Sequence, residues 1–209
     1  MSSSGGGSLL VVAAASGAGK TSLVSALVAG DAEVAVSVSH TTRPPRPAEL
    51  DGREYHFVDE QRFEELVRDG AFLEHARVFQ NRYGTTRAAV DEQLRAGLDV
   101  VLEIDWQGAR QVRELFPDAV SVFILPPSRD ELRARLTGRG QDSAEVIDRR
   151  MAQARSESSH WDEFDFIVVN GRFDQALADL RAIVMALRLR RGRQRYRLAG
   201  LLADLLVQP

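Results

Sequence analysis

Lys20 and Thr21 stand at the end of a run of small residues, Ala14, Ala15, Ser16, Gly17, Ala18 and Gly19, that follows an apolar stretch beginning at Leu9. Small side chains let a backbone curl until successive N–H groups converge on one centre. A helix opening at about Gly19 adds the positive end of its dipole at the same point. Such a nest binds phosphate. A lysine placed like Lys20 reaches the terminal phosphates of a nucleoside triphosphate, and the hydroxyl of Thr21 can ligate a magnesium ion. The run departs from G-x-x-x-x-G-K-[ST] only in its first residue, where Ala14 replaces glycine.

A phosphate loop alone implies a bound nucleotide and no particular reaction. The other charged side chains narrow it. Arg43 and Arg46 flank prolines in S-H-T-T-R-P-P-R-P. A stiff, extended loop presents two guanidiniums in fixed positions, which suits a second phosphate group. Glu74 lies in an apolar setting, and Tyr83 and Thr85 follow in a Gly-containing stretch; together they offer a carboxylate, a ring and a hydroxyl. By strand alternation alone, Glu74 suits an exposed position equally well. Arg135, Arg139, Arg149 and Arg150 surround G-R-G-Q-D-S, and arginines on a mobile flap can close over transferring phosphates. Asp105 ends an apolar run of the buried parallel type, on the sheet edge that also carries Lys20. The coincidence of these groups points to phosphoryl transfer between two phosphorylated ligands.

The 209 residues are 44% hydrophobic and 27% charged, which suits one globular unit with an ample core. No apolar run approaches a membrane span. No Lys or Arg precedes Lys20, so the run from Leu9 does not read as an export signal. A net charge of −3 gives no general pull toward nucleic acid, and the absence of cysteine fits a reducing cytoplasm. The four histidines, His40, His56, His75 and His160, show no metal-ligand spacing, so any metal is expected to arrive with a nucleotide.

Positioning these groups requires alternating strands and helices. Strands are expected over 9–15, 33–39, 55–58, 71–78, 99–105, 119–125 and 166–169, and helices over 20–29, 59–68, 87–96, 106–115, 128–137, 144–160 and 173–190. The segment F-Q-N-R-Y-G-T-T reads as a loop. Such alternation predicts a parallel α/β sheet. The basic run from Leu187 to Arg197 reads as a solvated helix offsetting an acidic body rather than a nucleic-acid site, because Tyr196 is the one aromatic in it. A tail helix over 191–207, with Leu198, Leu201, Leu202, Leu205 and Leu206, suits packing on the core or on another subunit as a homo-oligomer.

Taken together, S-G-A-G-K-T-S, S-H-T-T-R-P-P-R with D-G-R-E-Y-H-F, F-L-E-H-A, N-R-Y-G-T, L-E-I-D-W-Q-G-A, F-I-L-P-P-S, G-R-G-Q-D-S and I-V-V-N resemble the bacterial soluble guanylate kinases, in the family's order, over about 9–190. The resemblance implies ATP and GMP as substrates, ADP and GDP as products, and Mg2+. It implies a P-loop α/β fold: a five-stranded parallel core sheet with helices on both faces (9–37, 97–126 and 161–209, after a disordered tail at 1–8), an inserted mixed α/β GMP-binding domain (38–96) and a helical lid (127–160). Residues matching Ser39, Arg43, Arg46, Tyr55 and Tyr83 hold the GMP phosphate; those matching Glu74 and Thr85, with Glu103, read the guanine. The loop from Ala14 to Lys20 with Thr21 and Ser22 takes the ATP phosphates, and Asn170 lies near adenine. Lys20, Arg43, Arg139 and Arg150 share the transition-state charge; Thr21 binds the metal directly and Asp105 through water. Ala15, where the family usually has Pro, Arg82, where it often has Tyr, and Gly171, in place of an acid, remove no group given a role. A rival reading is a non-catalytic guanylate-kinase-like module that binds phosphopeptides. Such modules have usually lost the loop lysine, which is present here.

Overall fold

An unbroken apolar run is satisfied as a strand buried on both faces, and Leu9–Ala14 forms β1, the central strand of the main sheet. The structure, a computed structural model, describes residues 6–78, 80–138 and 143–207. After β1 come α1 (Lys20–Ala29), β2 (Val34–Val36), β3 (His40–Thr41), β4 (His56–Phe57), α2 (Glu60–Arg68), β5 (Phe72–Val78), β6 (Asn81–Thr86) and α3 (Arg87–Arg95). Then follow β7 (Asp99–Glu103), α4 (Trp106–Leu115), β8 (Val120–Leu125), α5 (Arg129–Thr137), α6 (Ala144–Ser158), β9 (Phe166–Val169), α7 (Phe173–Arg188), α8 (Arg191–Arg197) and α9 (Ala199–Leu205).

The main sheet has the order β2-β7-β1-β8-β9, and every pairing is parallel. Successive side chains of β1 point to opposite faces. Leu10 and Val12 pack with Leu23 and Leu27 of α1 and Leu180 and Val184 of α7. Leu9 and Val11 pack with Val90 and Leu94 of α3 and Val112 of α4. Helices therefore cover both faces, as expected. A third apolar cluster joins Ala15 of the phosphate loop to Leu132 and Leu136 of α5 and Ile147, Met151 and Ala154 of α6.

The second sheet, β4-β3-β6-β5, is built within residues 40–86 and is mixed: β3 runs parallel to β4 and antiparallel to β6. Here the structure corrects the sequence reading. The stretch expected to be a loop contains β6, a full strand, so Tyr83 and Thr85 are fixed by strand pairing to β5 and β3. Asp59 caps α2 as expected, its carboxylate accepting the Arg62 N–H.

The tail also differs. The expected helix over 191–207 is two short helices, α8 and α9, parted at Leu198. Of the expected 1–8 tail, residues 1–5 lie outside the described residues, and the Ser8 N–H donates to Asp99 at 3.0 Å. Nor is the basic run simply solvated. Arg188 is 7% exposed and donates to Asp99, itself 2% exposed, at 2.7 Å and to Asp31 at 2.8 Å. Arg193 also pairs with Asp99. This cluster ties α7 and α8 to the sheet edge at β2 and β7. Arg188→Ala leaves Asp99 with Arg193 and the Ser8 N–H but short of one buried partner, and is expected to cost about 1–3 kcal/mol in chemical denaturation.

Candidate active site

The strand-to-helix turn between β1 and α1 is shaped by backbone constraints. Gly19 caps α1 with φ of 93°, a left-handed conformation that side chains oppose, and a Cβ there would lie 2.5 Å from Asn170 Nδ2. The Asn170 carboxamide donates to Ala18 O at 2.8 Å, and the Ala18 N–H donates to Ala15 O at 3.0 Å. The loop is thereby braced from below by the residue that follows β9. Lys20 extends across the carboxyl edge of the sheet and donates to Ile104 O at 3.2 Å. Burial lowers the pKa of its ammonium, against the opposing pull of Glu103, Asp105 and Glu157. The Thr21 hydroxyl donates to Glu103 Oε2 at 3.0 Å.

A cleft of about 310 Å³ runs from this loop to the second sheet. Its far end holds Ser39, Tyr55, Tyr83 and Glu74. Glu74 and Thr85 are register partners across β5 and β6, 3% and 0% exposed. The Thr85 hydroxyl donates to Glu74 Oε1 at 2.6 Å, which leaves its oxygen to accept from Ser39 at 2.9 Å. Desolvation raises the Glu74 pKa to about 7; Thr85 pulls it down and Asp105 pushes it up. The helix α4 reaches this carboxylate because residue 108 is glycine: a Cβ there would lie 2.6 Å from Glu74 Oε2. The exposed setting that alternation allowed for Glu74 is thus excluded.

The remaining expected residues fall at two levels. Arg43 is half-buried and does not line the cleft, donating to Glu49 at 2.9 Å with its guanidinium 5.5 Å from the ring centroid of Tyr55, which does. Arg46 is exposed on the same loop, and its backbone N–H donates to the same Glu49 carboxylate. Asp105 lines the cleft, but its carboxylate caps α4 by accepting the Gly108 N–H at 2.9 Å. Ser22 sits exposed on α1, and Arg150 is half-buried on α6. Arg139 lies outside the described residues. One charged cleft residue escaped sequence reasoning, along with the apolar Ala76, Val78 and Ile104: Glu157, near the end of α6, accepts the Ser16 N–H of the phosphate loop at 2.7 Å. No motif signals it, because its neighbours form an ordinary charged helix.

A phosphate loop facing a buried carboxylate–hydroxyl pair is an arrangement for two ligands, and comparison with known proteins gives it a family. The family model described as "Guanylate kinase" matches residues 6–187. The chain belongs to the guanylate kinase family. It is an enzyme, a nucleotide kinase with guanylate kinase function. The guanylate kinase of Alkalilimnicola ehrlichii is 65% identical over 191 residues, covering 91% of this chain and 94% of that one. That of Coxiella burnetii is 56% identical over 190 residues, covering 91% and 92%. The crystal structure of guanylate kinase from Anaplasma phagocytophilum superposes with a TM-score of 0.78 at 31% identity, covering 97% of both chains. The guanylate kinase fold expected from sequence is therefore the one observed. Among the described residues, no helix is long and apolar enough to cross a membrane.

Proposed function

We propose that the chain transfers the γ-phosphoryl group of ATP to GMP, and that the two ends of the cleft divide the work. The observation that carries this reading is the buried Glu74–Thr85 pair facing Lys20 across one cleft. Guanine presents N1–H and a 2-amino group along one edge. The Glu74 carboxylate accepts both, and the Thr85 hydroxyl exchanges its bond to Glu74 for guanine O6. Adenine places a lone pair against the same carboxylate and lacks the 2-amino donor, and an unpaired buried group costs about 1–3 kcal/mol. Ser39, Tyr55 and Tyr83 with Arg43 and Arg46 take the GMP phosphate, so residues 38–96 form the GMP-binding unit and 127–160 the lid.

The GMP phosphate oxygen is already anionic near neutral pH. It attacks the γ-phosphorus in line, forming one P–O bond as the bridging oxygen leaves with ADP, and no general base is needed. The chain's task is position and charge. Lys20 stabilises the charge on the transferring group, with Arg43, Arg139 and Arg150 on the other sides, while Ala14 to Ser22 hold the ATP phosphates. Asn170 acts by bracing this loop.

The oxygen donors beside the loop fit magnesium. Thr21 and Glu103 are hard ligands 3.0 Å apart. That agrees with a metal held by one or two protein oxygens and substrate phosphates. When bound, the ion neutralises phosphate charge. On this geometry Glu103 serves the metal side, and Asp105, beside Glu74, serves the guanine side. This reading also places the enzyme in the cytoplasm.

The test is ADP release from Mg-ATP with GMP, AMP, UMP, CMP and dTMP as separate acceptors. Rapid release with GMP alone is expected. Comparable turnover of AMP would overturn the guanine reading, and GMP binding without release from any acceptor would favour a binding module.

A further inference from the structure

The helix α6 does more than carry arginines toward the phosphates. Its inner face is pressed against the phosphate loop: Ala154, fully buried, and Met151 share an apolar cluster with Ala15. One turn beyond Ala154, Glu157 accepts the Ser16 N–H at 2.7 Å through Oε2. Its other oxygen accepts from the Gln153 side chain at 3.0 Å, one turn back on the same helix. Just past the helix end, His160 stacks on Trp106 with ring centroids 3.7 Å apart, which pins the chain to the start of α4. Both carboxylate oxygens of Glu157 are thus engaged, on a helix that packs against the phosphate loop through Ala154 and Met151.

We propose that Glu157 is a positioning residue for ATP: it fixes the Ser16 peptide plane and so aligns the N–H groups that follow it in the loop. The inference rests on the reading that this loop takes the ATP phosphates. A loop of small residues has many conformations of similar energy, and only one presents its donors convergently. A half-buried acceptor on a helix packed against the loop selects that one without touching the phosphates. The acceptor matters by its reach more than its charge, since a carboxylate beside Lys20 also repels the incoming anion.

Two near-isosteric variants separate reach from charge. Glu157→Gln keeps an oxygen at the same distance; Glu157→Asp keeps the charge but falls one methylene short. The expected result is a KM for ATP about tenfold higher in Glu157→Asp, with the KM for GMP within about twofold of wild type and Glu157→Gln within about threefold for both, since a lost hydrogen bond to a charged acceptor corresponds to about a tenfold change in affinity. A role confined to fold stability would lower the melting temperature without this split between substrates. The inference is overturned by wild-type ATP kinetics in Glu157→Asp, by Glu157→Gln being the weaker variant, or by both KM values rising together. Calorimetric titration of wild type and Lys20→Met with ADP checks the parent reading independently. If wild type fails to bind ADP, the loop does not take ATP phosphates and the inference falls with that reading.

Discussion

Replacing Lys20 by Met is expected to lower turnover with GMP by about three orders of magnitude, the loss seen when one preorganised donor to a transition state is removed. The ammonium spans the gap between loop and strand edge, donating to Ile104 O with Glu103 and Asp105 nearby. On the proposed function it follows charge as that charge moves from the β–γ bridge to the acceptor. The fold should not suffer. Because burial lowers its pKa, the native site disfavours the charged form relative to the unfolded chain, and ionised Lys20 costs stability at neutral pH. Met keeps the length of the side chain and removes that cost. Turnover by stopped-time ADP assay and melting temperature by calorimetry together decide the matter; an active, folded variant would remove the loop lysine from the chemistry.

Glu74→Gln should lower kcat/KM for GMP by about 10²–10⁴, because two guanine N–H donors then face a carboxamide that can accept one of them at most. Its preference for GMP over AMP should contract in parallel. The variant also carries a pH signature. Glu74 in the free enzyme titrates at about 7, and only its ionised form accepts both guanine donors. As the pH falls below about 7, the KM for GMP should rise roughly tenfold per unit in wild type, beyond any slope that Glu74→Gln shares through the GMP phosphate. Stability moves oppositely. The folded pKa is raised, so between the ordinary carboxylate value and about 7 the native state holds a proton that the unfolded chain has lost, and stability declines as pH climbs through that window. Above pH 7, Glu74→Gln should therefore melt higher than wild type. KM profiles from pH 5.5 to 8.5 for both proteins test the first claim; parallel profiles would sink it.

Much of this was legible in the residues, and what was not has physical causes. The buried strands β1, β7 and β8 are apolar runs that admit one reading, and Asp59 and Ser128 mark helix starts through cap chemistry that is purely local. The strand β6 was missed because N-R-Y-G-T-T has glycine and no apolar alternation; its pairing with β5 and β3 supplies the order. The tail reading erred in the same way. Composition shows that Arg188 and Arg193 are cations, not that Asp31 and Asp99 wait beneath them, 157 and 89 residues from Arg188. At the site, the loop lysine stood out by type and spacing, whereas alternation left Glu74 open to an exposed setting and its pairing with Thr85 needed the register of β5 with β6. Which carboxylate stands beside Thr21 did not stand out either, since Glu103 and Asp105 differ only by where a strand ends and a helix cap begins.

The strand order carries a consequence for synthesis of the chain. β1 emerges first, yet its neighbours are β7, paired at Leu9 with Val100, and β8, paired at Leu10 with Val120. The second sheet needs nothing outside residues 40–86 to complete its strands. A nascent chain that has reached Arg95 thus holds every strand of the second sheet and no partner for the strand that leads into the loop before α1. Until β7 leaves the ribosome, this wholly apolar strand has no edge to join, and that interval is when it is open to chaperones and to misassociation.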